Sequence, residues 1–224
     1  MTRVGILGGT GDLGHGLALR LCAAGHDVVL GSRSAARGQE VAARLGLANA
    51  RGAANADAAR EADVVIVACP HEGHAALVRD LAPLLADKVV VDAVVPLGAG
   101  LTYAPPPDGS CAQETQRLAP RARVVAAFHS VSARLLAEVG RPLDQDVLVC
   151  GDDDGAKAVV MNIIASVGAR GVDAGGLRWA PTLEALAVLV INLNVRYGRR
   201  HLGIRIAHLP PGARPRPRLA GPAP

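Results

Sequence analysis

Short, continuously apolar runs alternate along the chain with longer stretches in which apolar residues recur at helical spacing. Runs that are apolar at every position are typical of parallel strands, because helices cover both faces of such a sheet. The alternation of strands and helices therefore predicts an α/β fold with a doubly wound, mostly parallel sheet. The predicted strands span residues 4–7, 27–30, 63–68, 88–93, 123–127, 146–150 and 170–173.

The pattern changes after Gly175 and Gly176. Residues 180–200 are largely apolar, and Pro181 stands where a helix would begin, so they predict one long C-terminal helix. A helix as apolar as residues 183–195 is expected to be buried against the main domain, a second subunit or a ligand. We therefore divide the chain into a sheet domain (1–176), a helical extension (177–208) and a Pro/Arg-rich tail (209–224) that is expected to be disordered.

The composition excludes several classes of protein. Half of the residues are hydrophobic and only 2% are aromatic, which argues against a disordered chain and against stacking of single-stranded nucleic acid on aromatic side chains. No stretch reaches the ~18 uncharged apolar residues of a membrane span. The four cysteines lack zinc-site spacing and predict free thiols in a reducing compartment. We expect a soluble cytoplasmic protein that binds no nucleic acid, membrane or metal.

The most specific motif is a glycine-rich turn directly after the first predicted strand. Residues 9–14 read Gly-Thr-Gly-Asp-Leu-Gly, which is the GxGxxG pattern of a Rossmann dinucleotide site, and they open a predicted helix. Gly9 permits the tight turn, Gly11 lets a pyrophosphate approach the backbone, and Gly14 lets helix and strand pack closely. The N–H groups at the start of the helix would then bind the phosphates.

The end of the second predicted strand indicates which dinucleotide is bound. An NAD enzyme would place an acidic residue there to bind the ribose hydroxyls. This chain has Ser32 and Arg33, followed one helical turn later by Arg37, and we expect no acid to compete for them. A hydroxyl and two guanidinium groups suit a 2′-phosphate, so the sequence favours NADP over NAD.

The chain offers few candidates for a proton donor. Its only lysines are Lys88, at the start of a predicted strand, and Lys157, near the start of a predicted helix, and neither is placed for catalysis. His129 follows the strand predicted at residues 123–127, so it is expected at the carboxyl edge of the sheet, where ligands bind. Ser130 and Ser132 add hydrogen-bonding groups to the same turn. We interpret His129 as a ligand-contacting and positioning residue.

Two further histidines, His71 and His74, follow the strand predicted at residues 63–68 and are expected at the same edge. Each could contact a ligand or simply begin a helix beneath it. The sequence favours neither interpretation.

Several short motifs occur in the order typical of one enzyme family. They are Gly8 to Gly14, Gly31-Ser32-Arg33, Val94-Val95-Pro96, residues 128–133 (Phe-His-Ser-Val-Ser-Ala), Cys150-Gly151-Asp152-Asp153 and Leu202-Gly203-Ile204. Over residues 3 to about 206 the chain resembles the F420:NADP oxidoreductases, which are NADPH-dependent reductases of coenzyme F420. The resemblance implies reversible hydride transfer between carbon 4 of the nicotinamide and carbon 5 of the deazaflavin. Because both partners are cofactors, the protein would mainly hold the two rings face to face.

The resemblance also implies the residues of the two binding sites. Those expected to hold NADP are Gly9, Thr10, Gly11, Asp12, Leu13, Gly14, Ser32, Arg33 and Arg37, with Ala68, Cys69, Pro70, His71 and Ala133 near its nicotinamide half. Those expected to border the deazaflavin are His129, Ser130, Val131, Leu202, Gly203 and Ile204. An acid at position 12 is adverse beside phosphates unless it points away or caps the helix.

Two other functions remain open at this point. One is an NADP-dependent reductase of a small imine or carbonyl compound, with His129 as the proton donor. The other is a non-catalytic NADPH-sensing module that binds a partner through the apolar C-terminal helix and the arginine-rich tail. The same apolar helix makes a homodimer the expected assembly.

Overall fold

The strands of the sheet follow the predicted positions closely. The computed structural model describes residues 1–210, so the tail predicted at residues 209–224 lies outside the described residues except for its first two. The strands are β1 (Arg3–Leu7), β2 (Asp27–Ser32), β3 (Ala50–Ala54), β4 (Val64–Val67), β5 (Val89–Asp92), β6 (Arg123–Ala126), β7 (Asp146–Gly151) and β8 (Arg170–Gly175). They form one sheet in the order β3-β2-β1-β4-β5-β6-β7-β8.

Helices cover both faces of this sheet. They are α1 (Asp12–Ala23), α2 (Ala35–Leu45), α3 (Asn55–Glu61), α4 (His74–Leu85), α5 (Cys111–Leu118), α6 (Ala133–Ala137), α7 (Asp154–Ser166) and α8 (Ala180–Arg196). One apolar core lies between the sheet and α1, α2, α6 and α7, and a second lies between the sheet and α3, α4, α5 and α8. The predicted doubly wound α/β fold is therefore confirmed.

The order of the strands determines where a ligand can bind. Strand β1 pairs with β2 on one side and with β4 on the other, and β1 to β6 are all parallel. Strands β2 and β3 thus extend the sheet on one side of β1, and strands β4 to β8 extend it on the other side. In open sheets of this kind the crevice at the carboxyl ends of the strands, where the strand order reverses, is the usual ligand site.

Strand β7 departs from the parallel arrangement. It runs antiparallel to β6, with Ala126 opposite Cys150. The connection from β6 to β7 holds only the five-residue helix α6 (Ala133–Ala137), and antiparallel neighbours need no crossover helix. The first residue of β7, Asp146, consequently lies beyond the carboxyl end of β6, at the same edge of the sheet as the ligand crevice.

One strand, β3, was not predicted. Its sequence, Ala-Arg-Gly-Ala-Ala, has no apolar run, and within residues 1–210 it pairs only with β2, as the edge of the sheet. Glycines let helix α2 pack directly on it, since a Cβ on Gly52 would lie 2.0 Å from the backbone of Gly38. The strand is therefore stabilised by backbone contacts that a hydropathy pattern does not record.

The C-terminal helix is shorter than predicted. Helix α8 ends at Arg196 rather than near residue 200, and Gly198 takes the left-handed conformation (φ +59°) that commonly terminates helices. One side of α8 is buried, at Leu183 and Ala187 for example, whereas Leu189 is 52% exposed. Within residues 1–210 none of the helices is long and apolar enough to cross a membrane.

Candidate functional site

The glycine-rich turn after β1 is held in place by its neighbours. Gly8 has a φ of +71°, and a Cβ there would lie 2.7 Å from the Cα of Cys69. The N–H of Gly8 donates to Oδ1 of Asn55 at 3.1 Å, and the N–H of Gly9 donates to the carbonyl of Gly31 at 2.9 Å. The turn is thus tied to the strand ends on both sides and to the buried Asn55 of α3, which sequence reasoning did not single out.

The three glycines of the GxGxxG motif have different surroundings. A Cβ on Gly9 would lie 2.7 Å from the carbonyl oxygen of Ile6, and a Cβ on Gly14 would lie 2.5 Å from the Cα of Gly9. A Cβ on Gly11 would meet only the carbonyl oxygen of Gly8, at 4.0 Å. The fold itself needs glycine at the first and third positions. At the second position the space outside the backbone is open, which fits the close approach of a pyrophosphate.

Helix α1 begins immediately after this open position. Its N-cap is Gly11, which has no side chain to accept a hydrogen bond from the first turn. The N–H groups of that turn are therefore available to an anion. Asp12 is exposed in the first turn and is not the N-cap residue, so it does not occupy the position from which a side chain would cap the helix.

The end of β2 carries the residues predicted to select NADP. Ser32 is buried as the last residue of the strand, and Arg33 is exposed beside it. Arg37 differs from the prediction, because its Nη1 atom lies 2.8 Å from Oε2 of Glu40, and this hydrogen bond lowers the pKa of Glu40. The expectation that no acid competes was therefore wrong for Arg37, since residues three apart on a helix are neighbours.

The residues after β4 lie against the glycine-rich turn. The N–H of Ala68 donates to the carbonyl of Leu7 at 2.9 Å, so the pairing of β4 with β1 continues for one residue beyond the strand. Cys69 packs against Gly8, and burial raises the pKa of its thiol to about 12. Pro70 is exposed and precedes a short 3-10 turn, His71–Gly73, in which Nδ1 of His71 lies 3.4 Å from Sγ of Cys111.

His129 lies at the carboxyl end of β6, as predicted, but it is almost completely buried. Neither of its ring nitrogens has a hydrogen-bond partner among residues 1–210. Burial lowers the pKa of His129 to about 4, so the imidazole is neutral near pH 7. The preceding residue, Phe128, has a φ of +68°, which is strained for a bulky side chain. A strained turn that buries an unsatisfied imidazole fits a group that receives its partner from a ligand.

The second group of predicted residues assembles beside His129. After α8 the chain returns to the carboxyl edge, where Ser132 Oγ donates to the carbonyl of Arg200 at 2.7 Å. Leu202, Gly203 and Ile204 follow directly, so the structure brings the turn at residues 129–132 together with residues 202–204. Ala133, the next residue after this turn, has its carbonyl packed against Gly16 of α1.

A buried polar cluster lies next to these residues and was not predicted. His74 is completely buried; its Nδ1 lies 2.9 Å from Oε2 of Glu114, and its Nε2 lies 2.9 Å from both Oδ2 of Asp92 and Oγ1 of Thr115. Burial alone would lower the pKa of His74, but the Asp92 carboxylate and the hydrogen bonds to both acids outweigh it and raise the pKa to about 9. His74 is thus a structural cation at the first position of α4 rather than an open ligand group.

A further carboxylate lies close to this cluster. Oε2 and Oε1 of Glu184 accept hydrogen bonds from the N–H groups of Cys111 and Ala112, at 3.0 and 3.2 Å. Burial, followed by the nearby Asp92, raises the pKa of Glu184 to about 8. In the sequence, the only indication of a role for Glu184 is that it is an acidic residue in the otherwise mostly apolar helix α8.

Both lysines are engaged away from the ligand crevice. Nζ of Lys88 donates to the carbonyls of Ala59, Arg60 and Ala62. Nζ of Lys157 lies 3.0 Å from a carboxylate oxygen of Asp173. Neither lysine is placed to exchange a proton with a ligand at the crevice.

Comparisons with known proteins found similar sequences and structures. The family model described as "NADP oxidoreductase coenzyme F420-dependent" matches residues 3–96. The F420-dependent NADP reductase of Methanocaldococcus jannaschii is 38% identical over 221 residues, which cover 92% of this chain and 99% of that protein. The F420-dependent NADP reductase of Methanothermobacter thermautotrophicus is 37% identical over 222 residues, covering 93% and 96%.

A solved structure extends the similarity to three dimensions. A protein of Arthrobacter sp. FB24, provisionally described as an F420-dependent NADP reductase, superposes with a TM-score of 0.82 at 29% identity. The match covers 93% of this chain and all of that one. Sequence similarity over almost the full length and the same fold lead to one conclusion: the chain belongs to the family of F420-dependent NADP reductases.

Proposed function

We propose that this protein catalyses reversible hydride transfer between NADPH and coenzyme F420. In one direction a hydride passes from carbon 4 of the dihydronicotinamide to carbon 5 of the deazaflavin, and one proton is taken up, which yields NADP⁺ and reduced coenzyme F420. Membership of the family supports this activity. The chemistry belongs to the two cofactors, so the protein needs to bind, orient and shield them.

The main observation in favour of NADPH binding is the open space at Gly11, next to the first turn of α1, whose N–H groups have no side-chain cap. A pyrophosphate there would accept hydrogen bonds from backbone N–H groups, with the helix dipole favouring its charge. The 2′-phosphate would be bound by Ser32 and Arg33. Our full proposal for the NADP site is Gly9, Thr10, Gly11, Asp12, Leu13, Gly14, Ser32, Arg33 and Arg37, with Ala68, Cys69, Pro70, His71 and Ala133 toward the nicotinamide.

The deazaflavin half would lie between the turn after β6 and the chain after α8. We assign it His129, Ser130, Val131, Leu202, Gly203 and Ile204. The unsatisfied ring nitrogens of His129 give a ligand a hydrogen-bonding partner. A pKa of about 4 makes His129 unsuited to donate a proton as an imidazolium near pH 7, which favours a positioning role over that of the acid in an imine or carbonyl reductase.

The test is direct. Purified protein mixed with NADPH and oxidised coenzyme F420 should bleach the visible absorbance of the deazaflavin, with one NADPH consumed for each coenzyme F420 reduced. The reverse reaction, started with NADP⁺ and reduced coenzyme F420, should restore the absorbance. If NADPH binds, as followed by calorimetry, but no bleaching occurs, the proposed activity is refuted.

The compartment is a separate proposal. All four cysteines are free thiols, and Cys22, Cys111 and Cys150 are buried. Unpaired cysteines are usual where glutathione and thioredoxin keep thiols reduced. This supports the cytoplasm as the place of action.

Self-association is also proposed. The C-terminal half of α8 and the residue after it expose Leu189 (52%), Val195 (66%) and Tyr197 (65%). Exposed apolar side chains along one helix end are typical of a surface that another chain covers. A homodimer formed by a second copy of this chain is the simplest symmetric assembly that would bury them.

A further inference from the structure

The chain that follows α8 has a course that regular secondary structure does not explain. Residues 200–206, here called the strap, contain no helix or strand, yet they lie along the carboxyl edge beside residues 129–132. We infer that Gln145 and the ion pair of Asp146 and Arg170 are positioning residues that hold the strap as one wall of the coenzyme F420 site. This inference rests on the function proposed above. It concerns residues that the proposal does not place in contact with either cofactor.

The carboxamide of Gln145 contacts both the turn at residues 129–132 and the strap. Its Oε1 atom accepts a hydrogen bond from the N–H of Ser132 at 3.2 Å, and its Nε2 atom donates to the carbonyl of His201. The side chain is only 6% exposed, so these bonds are largely shielded from water. One end of the carboxamide therefore fixes the turn that carries His129, and the other end fixes the strap.

Gly203 completes this contact. A Cβ at this position would lie 2.2 Å from Cδ of Gln145, so the backbone of the strap rests directly on the carboxamide. Any side chain here would push the strap away from Gln145 or displace Gln145 from its hydrogen bonds. The glycine is required by the fit of the strap, since its φ is not in the left-handed region.

Asp146 and Arg170 hold the far end of the strap. The N–H of Asp146 donates to the carbonyl of Ile204 at 2.7 Å, and Oδ2 of Asp146 accepts from the N–H of Ile206 at 2.6 Å. Arg170 donates hydrogen bonds to both carboxylate oxygens of Asp146, at 2.7 and 2.6 Å. It also donates to the carbonyl of Ile206 at 2.7 Å. A bidentate pair of this kind has a defined geometry, so it fixes where the strap backbone lies.

The polar contacts matter because the strap buries little apolar surface. Gly203, Arg205 and Ile206 are exposed, and a segment without regular structure or a core is ordered only at the cost of its conformational entropy. None of the hydrogen bonds made by Gln145, Asp146 or Arg170 involves residues 8–14 or 32–37. Loss of these bonds should therefore loosen the proposed coenzyme F420 site and leave the NADP site intact.

Steady-state kinetics of Gln145→Ala would test this division. We expect the KM for coenzyme F420 to rise about tenfold, the scale of one or two lost hydrogen bonds, with the KM for NADPH within about twofold of the wild-type value. Gly203→Ala and Arg170→Gln should shift the same KM in the same direction. Arg121→Gln is the matched control, because it removes an exposed ion pair with Asp87 just before the amino end of β6 and should change neither KM.

A second measurement needs no coenzyme. Hydrogen exchange of the free protein should be faster at the amide of Ser132 in Gln145→Ala and at the amide of Ile206 in Arg170→Gln, and unchanged at α1 in both. If the wild-type protein does not reduce coenzyme F420, the proposed function fails, yet the exchange rates still decide whether these residues hold the strap. Unchanged exchange, or equal rises in both KM values, would overturn the inference. If Gln145→Ala does not fold, Arg170→Gln and Gly203→Ala carry both measurements.

Discussion

Arg33 and Arg37 are alike in the sequence but not in the folded protein. The Nη1 atom of Arg37 is 2.8 Å from Glu40, which itself also pairs with Arg44, so part of its positive charge is neutralised. Arg33 has no acidic partner within residues 1–210 and lies next to the buried Ser32. Of the two arginines, Arg33 therefore offers the stronger attraction to a 2′-phosphate.

Replacing Arg33 by Ala should weaken NADPH binding by about 10- to 100-fold, the range expected for a lost charge-assisted hydrogen bond. NADH, which lacks the 2′-phosphate, should bind as it does to the wild type. Titration calorimetry with both nucleotides would measure the two dissociation constants. Arg37→Ala is the comparison and should have a smaller effect; equal losses for NADPH and NADH in Arg33→Ala would contradict the assignment.

The imidazolium of His74 makes stability depend on pH. Its pKa of about 9 in the folded protein lies above the ~6.5 of an unfolded histidine. Such a group stabilises the fold fully below pH ~6.5, and its contribution is lost as the pH rises through 9. The cause is the placement of the ring between two acids, because the carboxylate of Asp92 and the hydrogen bonds to Asp92 and Glu114 favour the charged imidazolium.

We therefore expect His74→Gln to lower the free energy of unfolding more at pH 6 than at pH 9.5, by a difference on the order of 2 kcal/mol. Urea unfolding of both proteins at the two pH values would measure it. Titrating groups remote from His74 are shared by the two proteins, so their contributions largely cancel in this comparison. A penalty that is the same at both pH values would show that His74 is not charged in the fold.

At the scale of elements, α1, which follows the proposed dinucleotide turn, contacts the segment that follows the proposed deazaflavin turn. Arg20 of α1 is buried and donates to four carbonyls at the end of α6 and just after it, those of Leu135, Leu136, Glu138 and Arg141. Carbonyls at a helix end have no partner within the helix, so a buried arginine is an efficient cap. The contact sets the position of α6, and with it the turn before α6, relative to α1.

Arg20→Met keeps much of the length of the side chain but removes every donor. We expect the free energy of unfolding to fall by roughly 3 kcal/mol, because several buried carbonyls lose their hydrogen bonds at once. Arg44→Met is the matched control; its ion pair with Glu40 is exposed and should contribute less than about 1 kcal/mol. Chemical unfolding of the two variants would separate these values, and similar losses would argue against the capping role of Arg20.

For the whole molecule, exposed apolar residues at the end of α8 and just after it bear on the assembly of the protein. The buried side of the helix packs on the core that includes Leu177 and Ala180, whereas Leu189, Val195 and Tyr197 remain accessible. In a homodimer these side chains would become buried, and charged substitutions there would oppose association.

Light scattering of the purified protein should therefore give twice the mass of one chain. The double variant Leu189→Glu, Tyr197→Ser should give the mass of one chain, with an unchanged circular dichroism spectrum as evidence of folding. The matched control is Ala43→Glu, which adds the same charge at an exposed position of α2, on the opposite face of the sheet from α8, and should leave the mass unchanged. A wild-type mass equal to one chain would contradict the proposed dimer.

The fold and the dinucleotide motif could be predicted because their signals are local. The apolar runs, the glycine spacing at residues 9–14, and Ser32 with Arg33 each depend on neighbours within a few positions. The resemblance to the F420:NADP oxidoreductases, which rests on short ordered motifs, is confirmed by the comparisons. The individual roles of the proposed site residues stay predictions.

What the sequence pattern could not reveal depends on contacts between distant positions. Strand β3 exists because Gly52 and Gly38 let a helix approach an edge strand. His74 is a buried cation because Asp92 and Glu114, 18 and 40 residues away, meet it in the core. The chain by itself determined a doubly wound sheet with an NADP-type turn, since periodicity and glycine chemistry act locally. Only the tertiary structure decided which polar groups are paired and where the strap lies, because those hydrogen bonds form between segments that folding alone brings together.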